Sequence, residues 1–261
     1  LPISEGFEFP GQYPPQYPVS GQPVDVAVAD VDGDGDPDVV TANNTDGTIS
    51  VLHNRGDGTL APAANYEAGF GPLFVVAEDL DGDASVDLVV GHRLNGDISV
   101  FLNRGDGTFA PPVDYSSGHR PSAIVVTDIG GDGRPDIVIS TTGAQDSIAI
   151  MHGSGDGAFL DPLRLDAGKP AFGVEAGDFD GDGSVDLISL HKYPNRATVW
   201  LNASDGTFDA GTDYDLDYEP MASTIADLDG DGDRDIAVSG FVEGHVTILF
   251  NLGGGAFSET M

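Results

Sequence analysis

The chain has 261 residues and a formal net charge of −34, from 44 acidic against 10 basic residues. That balance argues against nucleic acid as a partner, because phosphate binding needs a concentrated basic surface. Without cysteine there is neither a disulfide framework nor thiol chemistry. No apolar run approaches the roughly 20 residues of a membrane helix, so no membrane insertion is expected. The opening LPISEGFEFPG has no basic region and no apolar signal segment, so any targeting peptide is expected to have been removed or never present.

In chain order the sequence repeats itself. A proline (Pro23, Pro72, Pro121, Pro170, Pro220) opens each unit, and an apolar run such as VDVAVAD or LFVVAED follows. Period-two apolarity rich in Val and Ile reads as a strand. An Asp-rich loop comes next, then a second apolar strand (DVVTAN, DLVVGH, DIVIST, DLISLH, DIAVSG). A short polar loop leads to a third strand (TISVLHN, DISVFLN, SIAIMHG, ATVWLNA, HVTILFN), and a glycine turn such as GDGTF opens a fourth. Units of about 49 residues with four antiparallel strands and no helical period are the signature of propeller blades.

The reading is therefore all-β: a five-bladed β-propeller forming one domain over 1–261, with repeats at about 23–71, 72–120, 121–169, 170–219 and 220–261. Tyr17 precedes Pro23 by the same six residues that separate Tyr66 from Pro72 and Tyr115 from Pro121. An N-terminal strand over residues 7–20 is accordingly expected to complete the last blade and close the ring, removing its sheet edges.

The loops carry the chemistry. DVDGDGDPD at Asp30 returns as DLDGDASVD at Asp79, DIGGDGRPD at Asp128, DFDGDGSVD at Asp178 and DLDGDGDRD at Asp227, at intervals of 49, 49, 50 and 49. Of the 36 Asp residues, 21 lie in these loops, and Glu numbers only 8. A merely solvated acidic surface would not concentrate its charge so. Hard divalent cations want six to eight oxygens, and alternate Asp residues on a tightly turning loop supply them. The EF-hand alternative fails, since the twelfth position holds Thr41 or Val90 instead of Glu and the flanks are strands.

These residues resemble a known family. A strand ending in Asp, then DxDGDGxxD, a DIVV-type strand and a later N-x-G-D-G-T-F are similar to the FG-GAP/VCBS repeat of integrin α-subunit propellers and of secreted bacterial and fungal propellers, some of them lectins. The resemblance spans residues 17–257 in five copies. It implies up to five structural Ca²⁺ ions and an extracellular setting, secreted or at the cell surface, but no single function.

By this resemblance and by the spacing, the first, third, fifth and ninth residues give side-chain oxygens and the seventh a backbone carbonyl. The ligands are then Asp30, Asp32, Asp34, Asp36 and Asp38; Asp79, Asp81, Asp83, Ser85 and Asp87; Asp128, Asp132, Arg134 and Asp136; Asp178, Asp180, Asp182, Ser184 and Asp186; and Asp227, Asp229, Asp231, Asp233 and Asp235. Ala84 replaces the sixth-position glycine of the second loop. Gly130 replaces the third-position carboxylate of the third, which makes that site the weakest expected.

Two RGD tripeptides, Arg55-Gly56-Asp57 and Arg104-Gly105-Asp106, fall in the repeat's own glycine turn and read as that turn. The cations are more informative. In an up-and-down blade the second-to-third loops and the blade connections share the face opposite the metal loops. Arg93, Lys192 and Arg196 fall in such loops and Arg120 and Lys169 in such connections, with His92, His119, His191 and Tyr193 beside them. Arg93, Arg120, Lys169, Lys192, Tyr193, His92 and His191 form the candidate ligand face, suited to an anionic or polyhydroxylated ligand. Trp200, matched with Leu52, Phe101, Ile150 and Leu249, reads as core, and His53 and His152 as strand ends without a catalytic role.

The functional expectation is a calcium-stabilised binding or adhesion module for a glycan or an extracellular protein. Alternatives are a carbohydrate-active enzyme such as a polysaccharide lyase, with His92, His191, Tyr193 and Arg93 abstracting a proton beside a uronate carboxylate, or a ligand-free scaffold of a larger surface protein. Whether any catalysis occurs stays open at this point.

Overall fold

The structure, a computed structural model, describes residues 15–94, 96–143, 148–241 and 244–259. The described residues form five four-stranded antiparallel sheets in series and no helix. The first sheet is β1 (Pro23–Ala29), β2 (Asp38–Asn43), β3 (Thr48–Leu52) and β4 (Ala64–Glu67). The second is β5 (Pro72–Glu78), β6 (Asp87–His92), β7 (Asp97–Phe101) and β8 (Val113–Ser116). The third is β9 (Pro121–Thr127), β10 (Asp136–Thr141), β11 (Ile148–Met151) and β12 (Leu163–Leu165). The fourth is β13 (Gly173–Gly177), β14 (Asp186–Lys192), β15 (Asn195–Trp200) and β16 (Thr212–Asp215). The fifth is β17 (Pro220–Ala226), β18 (Asp235–Gly240), β19 (Val246–Asn251) and β20 (Phe257–Glu259).

The middle strands of the second to fourth sheets are largely apolar on both faces because each of these sheets packs between two neighbours. Apolar clusters fill the seams between consecutive sheets. Val40, Ala42, Ile49 and Val51 of the first meet Val75, Leu88, Val90 and Phe101 of the second. Val89, Ile98 and Val100 meet Ile137, Ile139 and Met151 of the third. Val138, Ile148 and Ile150 meet Val174, Leu187 and Trp200 of the fourth. Ile188, Leu190, Ala197 and Val199 meet Ile236, Val238, Leu249 and Phe257 of the fifth. Burying such side chains is worth about 2 kcal/mol each, so the seams hold most of the stability.

One register expectation changes. Leu187 pairs with Trp200 and Leu88 with Phe101, while Ile137 pairs with Met151. The counterpart of Trp200 is therefore Met151, not Ile150, which points into the next seam. A slip of one residue exchanges the faces of a strand, and adjacent apolar residues hide that slip in the sequence.

The expected closing strand, residues 7–20, lies partly outside the described residues. Its described part, from residue 15, joins no sheet, and the fifth sheet draws its fourth strand, β20, from its own repeat. The innermost strands pack in order, β1 on β5, β5 on β9, β9 on β13 and β13 on β17.

Candidate metal loops and the cleft on the opposite face

Each Asp loop joins the first two strands of a sheet, so all five lie at one end of the stack. Their fold is written in carboxylate-to-backbone hydrogen bonds. In the first loop Asp30 Oδ1 accepts from the Gly33 and Asp34 N–H groups (2.8 and 3.2 Å) and Oδ2 from Gly35 (2.9 Å). Asp32 and Asp34 each accept from the amide two residues on. The ninth-position Asp38 is fully buried and accepts from Val31 (3.0 Å) and Asn54 (2.6 Å). Asp87, Asp186 and Asp235 repeat this with Leu80 and Asn103, Phe179 and Asn202, and Leu228 and Asn251. The ninth Asp thus ties its loop to the end of the third strand.

The sixth position adopts a positive φ in the described loops, including 70° at Ala84, and a Cβ at Gly35, Gly133, Gly183 or Gly232 would meet nothing within 4 Å. Backbone conformation, and not space, selects glycine there, and Ala84 carries the strain.

Four loops bring three oxygens within 4.8 Å of one another: Asp30, Asp32 and Asp34; Asp79, Asp81 and Asp87; Asp178, Asp180 and Asp186; Asp227, Asp229 and Asp235. An all-oxygen set of this kind fits a hard divalent cation. Burial pushes the Asp87 carboxyl up to about 6, with Asp81 and Asp83 adding repulsion against the N–H bonds from Asn103 and Leu80. Burial likewise raises Asp186, Asp81, Asp32 and Asp229. Carboxylates forced together in this way favour a cation between them. The third loop forms no such group among the described residues. Gly130 offers no side-chain oxygen, and the Arg134 side chain lies 3.9 Å from Asp132.

His53 is a partner that the sequence did not disclose. Its Nδ1 lies 3.3 Å from Asp32 Oδ2 and 3.4 Å from Asp38 Oδ2, and His152 Nδ1 lies 3.3 Å from Asp136. The only signal was a His just before Asn54 and Gly153, where the other three repeats have Leu102, Leu201 and Phe250.

The RGD turns hold their own acids. Asp57 and Asp106 accept from the hydroxyl and N–H of Thr59 and Thr108, which hold both carboxyls below the usual range. Arg104 donates to the Phe109 carbonyl (2.6 Å).

At the opposite end the sequence-derived ligand set separates. His92 and His191 are buried instead of facing solvent. Pro170 O and Nδ1 of His191 are 3.1 Å apart, Nε2 is 2.9 Å from Ser189 Oγ, and Trp200 Nε1 donates to that same hydroxyl at 3.0 Å. His92 Nε2 sits 2.7 Å from Ser99 Oγ, which donates to Asp114. Burial holds both imidazoles below their usual range. His92 reaches a serine of the next strand, Ser99 on β7, whereas His191 bonds Ser189 two residues earlier on its own strand, and both rings are thereby held inside the blade. Lys192 is engaged too, 3.0 Å from Glu219 and 4.6 Å from the Phe172 ring centroid. Arg196 pairs with Asp213 and Asp215. Lys169 and Tyr193 are exposed.

Arg93 and Arg120 remain, and their guanidinium groups have no partner among the described residues. Both line a cleft of about 700 Å³ between the first and second sheets. Its walls are the β2–β3 loop (Asn44, Thr45, Asp46), the end of β4 (Glu67), the β4–β5 connection (Phe70) and Arg93 and Leu94 after β6. The Arg93 amide donates to Gly71 O (3.0 Å), and the Ala68 and Gly69 amides donate to Gly47 O (2.8 and 3.1 Å), so the walls are fixed. A Cβ on Gly47 would sit 2.5 Å from Gly69 O, so this approach requires glycine. Phe70 and Leu94 stand 79% and 63% exposed at the rim. The cleft lies one seam earlier than the second-to-fourth-blade face that the sequence indicated, because Phe70, Asn44 and Glu67 carry no motif.

The FG-GAP-like repeat profile matches residues 30–90, 79–139, 131–189 and 178–238, most of the chain. The chain belongs to the FG-GAP-like repeat family. No curated protein matches it significantly. Among solved structures it resembles an Agrocybe aegerita lectin that recognises non-reducing terminal N-acetylglucosamine (24% identity, TM-score 0.66), covering 90% of this chain and 65% of that one. It also resembles the V. cholerae biofilm matrix protein Bap1 (22% identity, TM-score 0.55), covering 90% of this chain and 38% of that one. The FG-GAP-like chain therefore spans less than two thirds of either. At these identities the likeness concerns the fold, that of β-propellers. Among the described residues no helix is long and apolar enough to cross a membrane.

Proposed function

We propose that this FG-GAP-like protein is a calcium-stabilised binding module, secreted or displayed at a cell surface, whose ligand is a glycan held between the first and second blades. The observation that carries the reading is the cleft itself. Two guanidinium groups without partners face it, Phe70 offers an exposed ring, and Asn44, Thr45, Asp46 and Glu67 offer donors and acceptors. A pyranose presents an apolar C–H face for an aromatic ring and hydroxyls for polar walls, and an acidic sugar adds a carboxylate that an Arg binds through paired hydrogen bonds. The lectin among the fold relatives agrees with this reading without fixing the sugar.

Calcium is structural here. Asp30, Asp32, Asp34 and Asp38 and their counterparts would hold it, and it would neutralise carboxylates that otherwise repel one another. Five ions would offset about ten of the 34 net negative charges. No catalytic step is assigned, since His92 and His191 are buried and hydrogen-bonded to Ser99 and Ser189.

The test is a glycan array read with calcium present, with an assay for unsaturated uronate products on every hit. Binding of neutral or acidic glycans without turnover is expected. Ultraviolet-absorbing product would replace the module by a lyase, and absence of any glycan binding would leave the scaffold reading.

A further inference from the structure

The first Asp loop differs from its copies in the side chains that it gathers. In the second, fourth and fifth loops the first, third and ninth carboxylates converge: Asp79, Asp81 and Asp87; Asp178, Asp180 and Asp186; Asp227, Asp229 and Asp235. In the first loop Asp30, Asp32 and Asp34 converge, while the ninth, Asp38, groups with Asp32 and with His53, the residue after β3. The three donor atoms of that second group also lie within 4.8 Å of one another. Leu102, Leu201 and Phe250 take the place of His53 in the three loops that keep the ordinary grouping. The imidazole accompanies the change.

The donor atoms of this group keep capacity to bind. Asp38 Oδ2 accepts from the Val31 amide (3.0 Å), which leaves it a second lone pair, and it lies 3.4 Å from His53 Nδ1. Asp32 Oδ2 lies 3.3 Å from the same nitrogen, while the Asp34 amide bonds the other oxygen, Oδ1. Ligands on a tetrahedral ion with bonds of about 2.0–2.1 Å stand about 3.3–3.4 Å apart. Both spacings suit such an ion. The group is also sheltered. The Asp38 side chain is fully buried, and those of Asp32 and His53 are only 25% and 26% exposed. The second blade's glycine turn closes over them, since a Cβ at Gly107 would fall 2.5 Å from His53 Cε1 and 2.8 Å from Asp32 Cβ. The third loop has the imidazole without the set: His152 Nδ1 lies 3.3 Å from Asp136, but Gly130 stands where Asp32 does.

We propose that Asp32, Asp38 and His53 form a second kind of cation site, present in the first blade alone and selective for an imidazole-binding divalent ion of the zinc class. A hard cation such as calcium takes oxygen ligands, whereas zinc and cobalt(II) accept an imidazole nitrogen beside carboxylates. Two carboxylates and a neutral imidazole balance a charge of +2, so the ion removes the repulsion between Asp32 and Asp38 without adding excess charge. Three protein donors leave a fourth position for water, as in open zinc sites. Asp32, with two oxygens, serves both this group and the all-oxygen group of Asp30 and Asp34.

Cobalt(II), a spectroscopic stand-in for zinc, is the probe, titrated into the calcium-saturated chain. One equivalent with the visible absorption of mixed nitrogen and oxygen ligation is expected, displaced by zinc and retained in about 100-fold excess calcium. His53→Leu, which copies the second and fourth repeats, should weaken cobalt binding by more than about 100-fold, because even the outer partners of a metal ligand are worth about 10–100-fold. Gly130→Asp supplies the missing carboxylate beside His152, where a Cβ would meet nothing closer than 3.8 Å, and should add a second cobalt equivalent. In the parent chain cobalt should shift the ring protons of His53 first among the six histidines. These last two measurements stand even if His53→Leu does not fold. No cobalt uptake by the parent, unchanged uptake by folded His53→Leu, displacement by calcium, or no gain in folded Gly130→Asp would each overturn the proposal. So would a first shift at any other histidine.

Discussion

The two ends of the blades differ in how far the repeats have diverged. At the Asp-loop end five copies keep the first-, fifth- and ninth-position carboxylates, with the ninth Asp bonded to the loop and to the end of the third strand in every copy. At the other end the loops differ in every blade, and their cations meet different fates: Lys192 and Arg196 in ion pairs, Arg93 and Arg120 in a cleft. Repetition marks the chemistry that every blade needs in order to fold. Divergence marks the place where one blade junction can do something its neighbours do not.

The sharpest way to break this comparison is to remove the calcium proposed for the Asp loops. A ligand bound only by the folded state at 100–1,000 times its Kd adds about 3–4 kcal/mol per site. Several sites lost together should lower the melting temperature by about 20 °C or more in excess chelator. A chelated sample that melts where the calcium-loaded one does would refute a structural role for the loops.

Asp186→Ala tests one copy alone. It leaves the Phe179 and Asn202 amides without their acceptor and should cost about 3 kcal/mol or more, read by urea unfolding. Arg93→Ala at the other end should stay within about 0.5 kcal/mol of the parent. Equal losses would erase the division between the two ends.

A smaller effect follows from His191, whose imidazole burial holds below its usual range. A depressed His is neutral in the fold and charged in the unfolded chain at mildly acid pH. Its stabilisation is therefore full above the unfolded pKa and lost as pH falls, by at most about 1.4 kcal/mol per pH unit. Stability measured from pH 7 to 5 should fall less steeply in His191→Gln. Parallel profiles would show that His191 titrates freely.

The smallest effect sharpens the loop comparison. Ala84→Gly relieves a left-handed residue at φ 70° and should raise stability by about 0.5–1 kcal/mol. A loss on that substitution would mean that the Ala84 methyl packs where the open space around its glycine counterparts shows none.

The strands, the blade period and the Asp loops were legible in the sequence because each is local: alternation within seven residues, carboxylates within nine. What failed to show depends on how strands pair and on what each side chain meets once they do. Ile150 and Met151 are adjacent and equally apolar, so only pairing with Ile137 decides which one matches Trp200. His92 and His191 looked like surface groups until Ser99 and Ser189 were placed beside them. Phe70 and Glu67 carry no motif and become a wall only where Arg93 crosses the seam.

The central claim is that calcium builds the fold at one end while the cleft at the other binds the ligand. It is tested most directly on the double variant Arg93→Ala/Arg120→Ala, with glycan affinity and melting temperature measured on the same calcium-saturated sample. The account predicts a loss of affinity of at least about 10-fold, the worth of one charge-assisted hydrogen bond, with the melting temperature unchanged. Undiminished glycan binding by that variant would contradict it.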